Sequence, residues 1–83
     1  MRRLTIQQDI INYLTRNYEP FQPITEETSL DELGLDSLDR VEFEQFIEDQ
    51  FKIKIPDNPF WAQVKDAIDY VVIALEHKFD PSI

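Results

Sequence analysis

Apolar residues recur at helical spacing in three separate blocks of this 83-residue chain, and prolines break the sequence between the blocks. The first block is Ile6, Ile10, Tyr13 and Leu14, the second Phe43, Ile47 and Phe51, and the third Val64, Ile68, Val71 and Leu75. Apolar residues three and four apart place one face of a helix against a core. Pro20 and Pro23 follow the first block, and Pro56 and Pro59 the second. Proline cannot continue a helix and biases the residue before it away from one. The pattern therefore predicts helices over about 4–18, 36–51 and 64–77. Asp57-Asn58-Pro59 is a turn or helix-start signal, so a short helix over 57–62 is also expected. The fold class that follows is all-α, a small four-helix bundle of three long helices and one short one. Phe79 to Ile83 reads as a frayed tail.

A chain of this length supports one domain, residues 1–83, with one small core. It has no cysteine, which excludes a disulfide framework and thiolate metal sites and demands no oxidising compartment. The formal net charge is −9. That argues against nucleic acid, whose phosphates need clustered Lys and Arg, and against anionic membrane surfaces. It favours partners with basic patches. No run is apolar and long enough for a signal-peptide core or a membrane span, so a monomer in the cytoplasm is the expectation.

The segment from Glu19 to Leu35 is a long loop, and Ile24, Leu30 and Leu33 are expected to pin it to the core. Helix 36–51 begins at Asp36, a strong N-cap, with Asp39 three residues on to complete a capping-box-like arrangement. If Asp36 caps the helix, the Ser37 hydroxyl is left to project from its open end. Phe43, Ile47 and Phe51 form the inward stripe, each contributing roughly 1.5–3 kcal/mol when fully buried. On the other side Leu38, Val41 and Gln45 line up, flanked by Asp39, Glu42, Glu48 and Asp49. Apolar residues set among carboxylates on an outward face read as a contact strip, although singly exposed apolar residues are also common.

Catalysis finds little support. Ser37, His77 and several acids formally allow a triad, but a lone histidine at the end of a surface helix is more often solvated or a partner of the helix terminus. An 83-residue bundle also leaves little room for a closed pocket with an oxyanion hole. Carboxylate pairs such as Glu42 and Glu48 read as a solvated acidic face. Around Asp31 the acids are dense, yet Leu33 and Leu35 stand where a calcium loop needs oxygen ligands. No metal site is expected, and the chain is not expected to be an enzyme.

The run Thr28-Ser29-Leu30-Asp31-Glu32-Leu33-Gly34-Leu35-Asp36-Ser37-Leu38-Asp39 resembles the attachment loop of acyl carrier proteins. The likeness continues through Val41-Glu42, Glu48-Asp49-Gln50-Phe51 and Ile53-Lys54-Ile55-Pro56-Asp57, and returns at Ala67-Ile68-Asp69-Tyr70-Val71. It covers residues 24–72, and its position at a loop-to-helix junction makes it far more specific than Asp-Ser-Leu alone. The resemblance implies that Ser37 carries 4′-phosphopantetheine, transferred from coenzyme A by a phosphopantetheinyl transferase, and holds acyl chains as thioesters on the arm. It implies that partner enzymes read the second helix, here through Asp36, Leu38, Asp39, Val41, Glu42, Gln45, Glu48 and Asp49. An anion at a helix N-terminus suits the position physically. The function expected is a freestanding carrier delivering acyl groups to acyl-transferring or acyl-activating enzymes in fatty-acid, lipid or specialised biosynthesis. The alternatives are an aminoacyl or peptidyl carrier and an unmodified acidic interaction domain.

Three departures from the family pattern narrow the expectation. Gln45 stands where fatty-acid carriers commonly place methionine, and the neighbouring Glu44 is also polar. Arg40 occupies a position where a small polar residue is common. It is expected near the mouth of the bundle, pairing with an acid such as Asp57 or with the arm's phosphate, or else lying as a surface arginine over the core edge. Finally, Phe46, Phe60 and Trp61 add aromatic volume, expected to shrink the interior available to a long acyl chain. Trp61 is placed with Arg40 as a contact of the arm or of the cavity mouth.

Overall fold

The structure, a computed structural model, describes residues 2–56 and 59–77, with the His77 side chain outside the described set. Three helices appear among these residues: α1 (Arg3–Tyr18), α2 (Ser37–Phe51) and α3 (Val64–His77). Their bounds lie within a residue of those expected from periodicity. Ile6, Ile10 and Leu14 of α1 pack on Val64, Ala67, Ile68 and Val71 of α3, and Phe43, Ile47 and Phe51 of α2 complete the buried core. α1 and α3 form the more extensive contact. α2 also meets α1 through Tyr13, whose ring stacks on Phe46 at 4.1 Å and on Phe43 at 5.9 Å.

The expected short helix is not found. Residues 59–62 are non-helical, and Asp57 and Asn58 lie outside the described residues. The backbone of this segment is engaged elsewhere. Leu30 donates its N–H to the Ala62 carbonyl at 2.9 Å, and Ser29 and Gln63 form an isolated antiparallel bridge. The amides of Ala62 and Gln63 turn to the Asp66 carboxylate at 2.9 and 3.0 Å. Pro59 has no N–H to contribute to a helical turn. The described fold is thus a three-helix bundle with an extended segment in place of the fourth helix.

The same pairing explains how a long loop stays ordered. Val64 and Lys65, at the start of α3, donate to the carbonyls of Thr28 and Glu26 at 3.0 and 2.7 Å. The loop thereby satisfies N–H groups that a helix start leaves open. Ile24, Leu30 and Leu35 are buried beneath it, and Leu33 is partly buried. Hydrogen bonds from Gln63 and then Ala62 hold the Asp66 carboxyl below its ordinary range. Arg3 ties α1 to this corner by ion pairs with Glu26 and Asp69, both exposed and individually weak.

Beyond α2 the chain leaves through Lys52 at φ 58, in the left-handed region. A non-glycine residue there is disfavoured by roughly 1–2 kcal/mol. The turn is braced by Glu48, whose carboxylate accepts the Ile55 N–H at 2.8 Å, and by the Tyr70 hydroxyl, which donates to the Lys54 carbonyl at 2.8 Å. Residues 53–56 beyond it form neither helix nor strand, the plain connection that the sequence suggests.

The N-terminus of α2 as the candidate functional site

Gly34, at φ +81, turns the chain into α2. A Cβ there would meet nothing within 4 Å, so the need for glycine is conformational, not steric. Leu35 is buried and fixes the approach. Asp36 then caps the helix: its Oδ1 accepts the Asp39 N–H at 2.9 Å, and Asp39 Oδ2 accepts the Asp36 N–H at 3.3 Å. This reciprocal box forms as the sequence predicts. Its consequence is at the next residue. Ser37 is the first residue of α2, is exposed, and its hydroxyl has no hydrogen-bond partner among the described residues. The N–H groups of Ser37 and Leu38 also have no acceptor there.

Ser37 lies on the wall of an open groove of about 560 Å³ between the first two turns of α2 and the segment 59–62. Arg40, one turn further along the same face, crosses this groove. It donates to the Trp61 carbonyl at 2.9 Å and to Asp31 at 2.8 Å. Asp57, the partner suggested by sequence, lies outside the described residues; the acid that Arg40 meets is Asp31, in the loop between α1 and α2. Asp31 is 85% exposed, so the ion pair itself adds little. The bond to a backbone carbonyl is the more structural of the two.

The two neighbouring aromatics take opposite roles. Trp61 is only 8% exposed, with its ring edge-on to Phe43 at 6.0 Å and tilted against Tyr70 at 5.8 Å. It fills the interior between α2 and α3. Phe60, expected to occupy interior volume, is instead 98% exposed on the groove. Phe46 does not fill the centre either; it is half-buried on Tyr13 at the α1–α2 seam.

The outward strip of α2 is present but less uniform than the sequence suggests. Leu38 and Val41 are 66% and 59% exposed, and Glu42, Gln45 and Asp49 are exposed with them. Gln45 donates to Asp49 at 3.0 Å. Asp36 and Asp39 are engaged in the cap, and Glu48 is half-buried on the Ile55 amide. These three carboxylates therefore serve the fold directly. Sequence reasoning missed Tyr13 and Tyr18, which face this acidic region from α1. Burial pushes the Tyr18 phenol up to about 12, helped by Asp39 and other nearby groups including Glu42 and Asp36. Burial likewise raises Tyr13, with Glu42 and Asp39 adding to the effect. No periodicity signals an electrostatic neighbour on another helix. His77 ends α3 with its side chain outside the described residues, and the triad that the sequence formally allows but disfavours lies outside them with it.

The family described as "Phosphopantetheine attachment site" matches residues 9–71. The chain belongs to the acyl carrier protein family. An acyl carrier protein from Zymomonas mobilis is 35% identical over 75 residues, covering 88% of this chain and 90% of that protein. A non-reducing polyketide synthase from Talaromyces marneffei is 36% identical over 75 residues, which are 87% of this chain but 4% of that far longer protein. The crystal structure of an acyl carrier protein from Thermotoga maritima superposes with a TM-score of 0.78 at 30% identity, covering 94% of this chain and 95% of that one. Acyl carrier proteins are not enzymes. They carry a covalent 4′-phosphopantetheine, and that role implies a phosphopantetheinyl transferase and acyl-handling enzymes as partners. The residues at the start of α2 fit such a group: an exposed hydroxyl and two N–H groups with no partner among the described residues, and a guanidinium one turn away. No described helix is long and apolar enough to cross a membrane.

Proposed function

We propose that this chain carries acyl groups as thioesters on 4′-phosphopantetheine attached at Ser37 and presents them to enzymes with basic docking patches. One observation carries the reading: the Asp36–Asp39 box takes over the capping of α2 and leaves the Ser37 hydroxyl exposed at the helix start, with no partner among the described residues. When attached, the arm supplies the thiol that the cysteine-free chain lacks. The chain's own residues orient it. The open N–H groups of Ser37 and Leu38 favour the phosphodiester, and the Arg40 guanidinium, held by Asp31 and the Trp61 carbonyl, adds positive charge one turn away. Leu38 and Val41 supply apolar contact within an acidic surround, which steers basic partners. The reading includes a monomer in the cytoplasm.

Within this function, a specialised acyl pathway, polyketide-type included, is favoured over general fatty-acid synthesis. The supporting feature is the polar middle of the outer α2 strip, where Gln45 is tied to Asp49 and offers no adaptable apolar contact. The test is to incubate the protein with coenzyme A, magnesium and a promiscuous phosphopantetheinyl transferase, then measure its intact mass. A gain of one phosphopantetheine per chain is expected. An unchanged mass would return the chain to the reading of an unmodified acidic interaction domain.

A further inference from the structure

We propose that the cargo of this carrier lies outside the bundle, in the groove beside Ser37, with Phe60 as its apolar wall and specificity determinant. The groove then selects short acyl groups that carry an aromatic ring. This rests on the proposed attachment at Ser37 and names the cargo class for that site.

The interior route is obstructed by two residues. The Trp61 ring is packed between Phe43 and Tyr70, in the space between α2 and α3. Arg40 fastens the backbone of that same residue to α2 through the Trp61 carbonyl. An alkyl chain entering here would have to displace a buried indole and break a charge-assisted hydrogen bond. Close-packed interiors resist such displacement. Outside, the situation is reversed. Phe60 leaves an entire aromatic ring in water, forgoing the roughly 1.5–3 kcal/mol its burial would contribute. Val41 and Ala62 are exposed on the same groove, and Ser37 is part of its wall. A group tethered at Ser37 meets this surface at high effective concentration, so even weak contacts are populated. A planar group gains most from the Phe60 ring. Arg40 supplies the polar end: Asp31 and Trp61 engage two of its five N–H donors, leaving others for a carbonyl oxygen.

The test loads the protein with benzoyl or octanoyl arms from the corresponding acyl-coenzyme A analogues, confirms loading by intact mass, and compares amide shifts with the acyl-free holo-protein. Expected are benzoyl shifts centred on Val41, Phe60 and Ala62, with Ile47, Ile68 and Val71 unmoved by either cargo. Phe60→Ala should reduce the benzoyl shifts at Val41 and Ala62 by about threefold, a change within the reach of one aromatic contact. Its thermal midpoint should match wild type, because the ring is exposed. Octanoyl shifts concentrated at Phe43, Ile68 and Val71 would overturn the inference by placing cargo inside. So would benzoyl shifts that survive Phe60→Ala unchanged. Absence of any arm would instead defeat the attachment proposal, and this inference with it.

Discussion

The two faces of α2 carry similar residues to opposite ends. On the inner face Phe43, Ile47 and Phe51 are almost wholly buried, whereas on the outer face Leu38 and Val41 stand in water among carboxylates. With apolar residues on both sides, the helix is scarcely amphipathic, and only its packing shows which stripe holds the fold. The inner stripe is stabilising because it leaves water on folding. The outer one contributes little to the isolated protein, and its contact area remains available to a partner. Even the charged residues divide this way: Asp36, Asp39 and Glu48 bond to backbone amides, while Glu42 remains exposed.

Substitutions should separate the faces, most sharply at Phe43. Phe43→Ala removes a buried ring touched by Tyr13 and Trp61 and should cost about 3–5 kcal/mol in urea denaturation. A loss below ~1 kcal/mol would mean that α2 is not anchored as described. Alkali probes the acidic flank. Tyr18 binds its proton more tightly folded than unfolded, its pKa raised from 10.0 to about 12 mainly by burial. The corresponding stability is complete below pH 10 and is lost as the pH rises towards 12. Tyr18→Phe should flatten the slope of stability against pH in that window; an unaltered slope would remove Tyr18 as its cause.

Arg40 sits on the seam between the faces. Arg40→Ala should cost about 1 kcal/mol, from the bond to the Trp61 carbonyl more than from the exposed pair with Asp31. If Asp31→Ala proves as costly as Arg40→Ala, that division is wrong. The smallest effect on stability is expected on the outer face. Leu38→Ala and Val41→Ala should each change stability by less than about 0.5 kcal/mol, yet slow modification by the transferase. Unimpaired modification of both variants would leave the strip without a role in docking that enzyme.

Much of this division could be read from the sequence because helices repeat. The inward stripes, the helix bounds and the Asp36 cap all follow from spacing and local hydrogen-bond chemistry. What was not legible lies where the chain has no period. Nothing in Phe60-Trp61 says which ring goes inside, since a non-helical segment has no face to assign. The bonds from Leu30, Val64 and Lys65 that draw 62–65 onto the loop between α1 and α2 join backbone groups distant in sequence, and they stand in place of the expected short helix. Arg40 stands out of pattern in the sequence, but its partner Asp31 depends on that same loop placement.

The proposed modification of Ser37 depends on Asp36 taking the cap of α2. The most direct measurement is the intact mass of Ser37→Ala after treatment with coenzyme A and the transferase, alongside its thermal midpoint. An unmodified protein with a wild-type midpoint is expected, because the cap belongs to Asp36 and Asp39. A variant that still gains the arm would contradict it.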